Sequence, residues 1–284
     1  MTETSDRRGA GEGVEAARTV AVVGAGTMGG GIAAVLAQHG FAVRLHDPSP
    51  PSLERALARI VKRAPHASVE AVARLDDVAR GCDLAIEAVP ESLALKREVF
   101  VALDAAAPPH AVLATNTSQL SVTELAAATG RPSAVVGMHW FNPPERMRLV
   151  ELVRTVLVAP EALALVRAVA EACGKTVIEV ADRQGFVSTR AMAALVIEAM
   201  RIHEEGVAEA RDIDVALELG LNHPTGPLAL ADLVGLDVML AIAEALTEQL
   251  GERFRPPQGL RKRVEAGRLG RKSGHGYYRY DDRG

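Results

Sequence analysis

Positive charge is not in excess in this chain, cysteine is scarce, and no apolar run is long. Its 284 residues hold 32 Lys and Arg against 36 Asp and Glu, a formal net charge of −4. That balance gives no electrostatic case for nucleic acid or an anionic membrane as a partner. Two cysteines, Cys82 and Cys173, are too few for a disulfide framework and lack metal-ligand spacing, so each is expected reduced in the interior. Apart from His139, the histidines (His39, His46, His66, His110, His203, His223 and His275) are scattered without a ligand pattern, and no metal is expected. No stretch reaches the length of a membrane span. Residues 1–17 mix Glu3, Asp6, Glu12 and Glu15 with glycine and lack the apolar core of a signal peptide. They read as a disordered leader, and the cytoplasm is the expected compartment. Neither an internal repeat nor a low-complexity segment is present.

The remainder is 48% hydrophobic and 24% charged, ordinary for a globular protein long enough to divide into two domains. Thr19–Val23 is short, apolar and rich in β-branched residues, as suits a strand buried on both faces of a parallel sheet. Similar runs follow at Phe41–Leu45, Leu84–Ala88, Val112–Thr115, Ala134–Met138, Arg148–Val153 and Lys175–Val180. Helices are expected at Gly30–Gln38, Ser52–Arg63, Leu93–Ala105, Val122–Ala128 and Glu161–Cys173. This alternation predicts an α/β fold, a doubly wound Rossmann-type domain over residues 18–184. From Gly185 the pattern becomes helical. Ser188, Met192, Leu195, Ala199 and Ile202 recur along one face as packing core. Asn222–Pro227 reads as a loop, followed by helices at Leu228–Leu233 and Asp237–Leu250. An all-helical C-terminal domain is therefore expected over residues 185–284.

Directly after the first strand comes Gly24-Ala-Gly26-Thr27-Met28-Gly29, a G-x-G-x-x-G pattern opening a helix. The first glycine permits the turn and the second lets backbone approach a pyrophosphate. The third lets helix and strand pack closely, while the helix N-terminus faces the phosphates. Asp47 ends the second strand, where a carboxylate accepts hydrogen bonds from a ribose 2′-hydroxyl and repels a 2′-phosphate. NAD is thus expected over NADP, with Arg44 nearby but facing elsewhere. A flavin is the competing ligand of such a fingerprint, and a ligand-free glycine turn is the plain alternative.

Twelve positions separate His139 from Glu151. An imidazole oriented by a carboxylate takes a proton from an alcohol near neutral pH. A proton acceptor beside a hydride acceptor suggests a dehydrogenase. Otherwise His139 is a loop hydrogen-bonder and Glu151 a solvated strand residue. Glu151 sits between Val150 and Leu152, however, and a buried carboxylate needs a partner.

Six segments occur here in the order found in the 3-hydroxyacyl-CoA dehydrogenases, which the chain resembles from Arg18 to Tyr280. They are Gly24-Ala-Gly-Thr-Met-Gly29, Glu87-Ala-Val-Pro-Glu91, Asn116-Thr-Ser118, Gly137-Met-His-Trp-Phe-Asn-Pro-Pro144, Gly226-Pro-Leu-Ala-Leu230 and Gly270-Arg-Lys-Ser-Gly-His-Gly-Tyr-Tyr278. The resemblance implies that His139 is the base for the 3-hydroxyl and Glu151 its orienting partner. It places Ser118 at the substrate hydroxyl and the nicotinamide ribose, and Asn142 near the nicotinamide. Glu91 and Lys96 would contact the ribose side of NAD, and Lys272 would reach it from the C-terminal domain. Ser118 has a bland alternative as a turn residue, and Lys96 and Lys272 as exposed lysines. A homodimer formed through the helical domain is also implied.

Two departures bear on the substrate. Thr189, in Gly185-Phe-Val-Ser-Thr-Arg190, replaces an asparagine that holds substrate in the family; its hydroxyl reaches less far and lacks paired amide geometry. The protruding helical arm that clasps the nucleotide of coenzyme A is reduced to one short helix at Ser52–Arg63, ended by Pro65. A basic cluster at Lys62 and Arg63 remains, or is only a solvated helix end. The acyl thioester could then be carried on CoA or on an acyl carrier protein. A free 3-hydroxy acid and a non-catalytic crystallin-like role stay as further alternatives.

Overall fold

The computed structural model describes residues 17–64 and 69–280; the expected leader, apart from Ala17, and Pro65 lie outside them. The chain divides into two compact units between Asp182 and Arg183. In the first, strands and helices alternate: β1 (Thr19–Val23), α1 (Thr27–Gln38), β2 (Ala42–His46), α2 (Pro50–Arg63), β3 (Val69–Val72), α3 (Leu75–Ala79), β4 (Leu84–Glu87), α4 (Leu93–Ala106), β5 (Val112–Thr115), α5 (Val122–Ala127), β6 (Val135–Trp140), β7 (Leu149–Arg154), α6 (Pro160–Ala172) and β8 (Thr176–Ala181).

The strands form one sheet in the order β3-β2-β1-β4-β5-β6-β7-β8. All neighbours are parallel except β6 and β7. The β-branched runs at the centre, β1, β4, β5 and β6, lie almost wholly in the core, as strands covered on both faces must. β3 escapes the sequence reading because it is a four-residue edge strand with Glu70 and Ala71 exposed. Both thiols are buried. Burial pushes Cys82 up to about 11 and Cys173 up to about 12, which keeps them protonated and inert.

The second unit holds α7 (Ser188–Glu204), α8 (Ala210–Leu221), α9 (Pro227–Val234), α10 (Leu236–Leu250) and α11 (Gln258–Glu265). Their core includes Val196, Ile197, Met200, Ile213, Leu228, Met239 and Leu246. The inward face of α7 corrects the sequence reading. Thr189, Ala193, Val196, Ile197, Ala199 and Met200 are buried, whereas Met192 and Ile202 only flank the cluster. Of the expected face Ala199 is buried, and the rest of the buried stripe is rotated by about one residue, to Thr189, Ala193, Val196 and Met200.

Asp232 organises the end of this unit. Its carboxylate is 1% exposed and accepts the N–H groups of Tyr277 and Tyr278, both at 2.9 Å, and the Tyr280 hydroxyl at 3.0 Å. Side chains at Gly270 or Gly276 would collide with Asp232. Asp214 accepts from Leu228 N, Ala229 N and the Tyr278 hydroxyl, which satisfies the first turn of α9.

Candidate active site

The chain reverses direction across the sheet between β1 and β4, and ligands of open α/β sheets bind in the crevice at such a switch point. The fingerprint lies there. Gly24 has φ +100°, and a Cβ on it would stand 2.6 Å from the Ala88 carbonyl oxygen at the end of β4. Only glycine fits. At Gly26 a Cβ would meet nothing within 4 Å, so this side of the turn faces open space. The space is a cleft of about 940 Å³ lined by Gly24, Gly26, Thr27, Asp47, Ala88 and Pro90, among others. The first turn of α1 holds no acidic residue, so its positive end is available to a pyrophosphate.

Asp47 stands at the rim. Its Oδ2 accepts from Ala25 N at 2.7 Å and its Oδ1 from Ser49 N at 2.8 Å. Each oxygen keeps a second lone pair for a ribose hydroxyl. Arg44 turns away, donating to Glu70 at 3.1 Å and to the Arg80 carbonyl at 2.8 Å.

His139 and Glu151 are direct partners across the antiparallel β6–β7 pair. Opposed residues project from the same face of a sheet, so the register itself brings the side chains together. His139 Nδ1 lies 2.8 Å from Glu151 Oε2, and the two residues are 5% and 0% exposed. Phe141 packs on the imidazole with ring centroids 4.5 Å apart. Gly137 pairs with Val153 one step along the same face. A Cβ on Gly137 would come within 2.5 Å of the Val153 Cβ, so glycine there protects the register.

A second buried cluster fixes the Ser118 loop. Glu87, fully buried, accepts from Lys96 Nζ at 2.7 Å, Thr115 Oγ1 at 2.7 Å and Val89 N at 2.7 Å. Burial pushes its carboxyl up, against the Lys96 ammonium and these hydrogen bonds. Lys96 is not an exposed lysine. It is 1% exposed, and besides Glu87 it reaches Glu91 and the carbonyl of Val89, both at 3.3 Å, so it faces protein groups rather than solvent. Glu91 in turn accepts from Thr117 Oγ1 at 2.5 Å and Ser118 N at 2.9 Å. Asp182 accepts from Thr123 N at 2.7 Å, closing the far end of the loop. Asn116 Oδ1 accepts from Trp140 N at 2.9 Å and ties this loop to the strand of His139. Sequence reasoning quoted Glu87 and Asn116 within motifs but gave them no role.

Asn142 lines a smaller cavity of about 240 Å³ with Thr27, Gly30, Gly31, Arg59 and Glu145, which brings it to the cofactor helix. In the second unit, Thr189 is buried on α7. Lys272 Nζ donates to Asp237 at 2.7 Å, so its charge already has a carboxylate partner.

A nucleotide cleft at the switch point and a buried histidine–carboxylate pair on one sheet define a dinucleotide-dependent dehydrogenase. Comparison with known proteins gives the family. Residues 19–183 match the 3-hydroxyacyl-CoA dehydrogenase NAD binding domain and residues 185–280 the 3-hydroxyacyl-CoA dehydrogenase C-terminal domain. The chain belongs to the 3-hydroxyacyl-CoA dehydrogenase family, and NAD is its cofactor. It is 43% identical over 282 residues to a probable 3-hydroxybutyryl-CoA dehydrogenase of Bacillus subtilis, covering 94% of this chain and 98% of the relative. A 3-hydroxybutyryl-CoA dehydrogenase of Mycobacterium tuberculosis is 41% identical over 284 residues, covering 94% and 99%. Among solved structures, M. tuberculosis FadB2 superposes with a TM-score of 0.89 at 40% identity, over 94% of this chain and all of that one.

Proposed function

We propose that the protein interconverts a short 3-hydroxyacyl thioester and its 3-oxo form, with His139 as the base and Glu151 as its orienting partner. The buried 2.8 Å contact between the two carries this reading. The carboxylate holds Nδ1–H, fixes the ring and stabilises the imidazolium that forms when Nε2 takes the hydroxyl proton. Burial strengthens that stabilisation by excluding water. NAD, when bound, supplies the hydride acceptor for C3. Ser118, its backbone held by Glu91, is placed to bind the substrate hydroxyl, and Asn142 to face the nicotinamide. Gly24, Gly26, Thr27, Met28 and Gly29 cradle the pyrophosphate, with Asp47 and Glu91 on the ribose side. Lys272 is the contribution proposed from the helical unit, whose apolar faces are also proposed to form a homodimer.

A second reading concerns the handle. α2 is followed by β3 at Val69, with no room for a long helix pair. This short connection favours a carrier-bound acyl group as an alternative to CoA. Arg55, Arg59 and Lys62 are exposed along α2, a charge suited to a phosphopantetheine phosphate or an acidic carrier. NADH formation with one 3-hydroxyacyl group offered on CoA, on a carrier protein and as the free acid decides the matter. Turnover with none of the three, alongside intact NAD binding, would sink the catalytic reading.

A further inference from the structure

The segment between β6 and β7, residues 141–148, carries Asn142. It contains Pro143 and Pro144, which have no N–H to offer and so limit how far the segment can tie itself down. Its internal bonds converge on the Pro143 carbonyl, which accepts from Arg146 N and Met147 N, both at 3.0 Å. The carbonyls of Pro144 and Met147 need donors from elsewhere, because buried or half-buried backbone acceptors left unpaired are costly. One side chain supplies both. Lys175 Nζ donates to Pro144 O at 2.6 Å and to Met147 O at 2.9 Å.

Lys175 immediately precedes β8 and is 9% exposed. Its ammonium also stands 5.4 Å from the centre of the Trp140 ring, within range of a cation–π attraction. The segment also rests on the cofactor helix. A Cβ on Gly31 of α1 would come within 3.0 Å of the Pro144 ring, so Pro144 rests on bare helix backbone. The segment that carries Asn142 is thus tied to a buried cation at Pro144 and Met147, and its Pro144 rests on the helix whose first turn shares the Asn142 cavity.

We infer that Lys175 is a positioning residue for Asn142, its ammonium fixing the Pro144 and Met147 carbonyls so that Asn142 is presented to the nicotinamide half of NAD. The inference rests on the reading of Asn142 given above. The bonds of Lys175 go to the backbone of the segment. It acts by holding geometry, and a displacement of about 1 Å at such a site costs about a hundredfold in rate.

The test compares affinities for NADH and for ADP-ribose, which lacks the nicotinamide, in Lys175→Met, Asn142→Ala and the double variant. Trp140 is the chain's one tryptophan and lies beside Lys175, so its emission reports the state of the segment, and energy transfer from it to NADH reports binding. Lys175→Met is expected to change Trp140 emission and weaken NADH about tenfold while ADP-ribose stays within about twofold. The double variant should be no weaker than Asn142→Ala, because residues acting through one another are not additive. If Asn142→Ala binds NADH normally, the reading of Asn142 falls and this inference with it. If Asn142→Ala is impaired while Lys175→Met is not, or if the two effects multiply, the role of Lys175 falls and that of Asn142 stands. Should Lys175→Met fail to fold, Lys175→Gln, which keeps a donor without the charge, carries the same cycle with the same criteria.

Discussion

Two glycine-rich segments, one in each unit, look alike in sequence and do opposite things. In Gly24-Ala-Gly-Thr-Met-Gly29 the middle glycine faces empty space at the edge of a cleft. In Gly270-Arg-Lys-Ser-Gly-His-Gly276 the glycines at both ends press against Asp232. In the first, Gly24 N and Ala25 N are taken by His46 and Asp47 and only the N–H groups at the start of α1 are left for a ligand, whereas Asp232 takes those of the second segment's continuation at Tyr277 and Tyr278. Glycine is required in both places because a side chain would intrude, but what it makes room for is a ligand in one and the protein's own Asp232 in the other, its backbone at Gly270 and its carboxylate at Gly276. The difference separates residues whose loss should cost activity from residues whose loss should cost stability.

The sharpest contrast comes from the proposed base on the cofactor unit's sheet. His139→Ala should lower turnover by about 10³–10⁴-fold, the scale of a lost general base, with NAD affinity and melting temperature nearly unchanged. Equal loss of turnover and NAD affinity, measured by steady-state kinetics and calorimetry, would refute the assigned role. Next, the two segments can be set against each other. Gly26 has φ −66°, a conformation any residue adopts, so Gly26→Ala should weaken NAD binding about tenfold or more and leave the melting temperature alone. Gly276→Ala should do the reverse, destabilising the helical unit by about 2–3 kcal/mol through overpacking and a displaced buried carboxylate. A melting temperature that falls equally in both variants would erase the distinction.

Asp83 gives the cofactor unit a smaller version of the Asp232 device, accepting from Arg18 N at 2.7 Å and Thr19 N at 2.9 Å at the start of β1. Partial burial works against its charge, but these backbone donors and His110 outweigh it and hold the carboxyl below the usual range. A carboxyl lowered by folding stabilises above its unfolded pKa of about 3.9 and loses that contribution as pH falls through the folded value. Asp83→Asn should therefore cost about 1 kcal/mol at pH 7, and urea titrations should show the gap closing as pH falls below the unfolded carboxyl value. A gap independent of pH would mean that charge is not what matters there. The smallest effect is expected at Thr189. Thr189→Asn should raise activity on a 3-hydroxyacyl-CoA a few-fold if this position tunes substrate placement, and unchanged kinetics would remove it from the specificity account.

Much of the fold was legible because its strands are apolar runs of β-branched residues. The edge strand β3 was not, since a strand half in water has no such run. The pairing of His139 with Glu151 was anticipated from spacing and chemistry, while the antiparallel register that enforces it is a property of the sheet. Buried lysines were the least visible. Lys96 has Glu87 for a partner from the preceding strand, and Lys175 has carbonyls 28 and 31 residues away. Nothing near either lysine in the sequence signals that it leaves water. The glycines of the C-terminal segment could be seen, but not the carboxylate they make room for, because Asp232 lies on a different helix.

The β6–β7 register has a consequence for how activity is gained and lost. Side chains alternate along a strand, so a slip of one residue would send Glu151 to the far face of the sheet and leave His139 without its carboxylate. No graded intermediate lies between the two arrangements. On the role proposed for the pair, competence at this site is therefore digital, set by strand alignment, and a misaligned sheet would be a folded but silent protein.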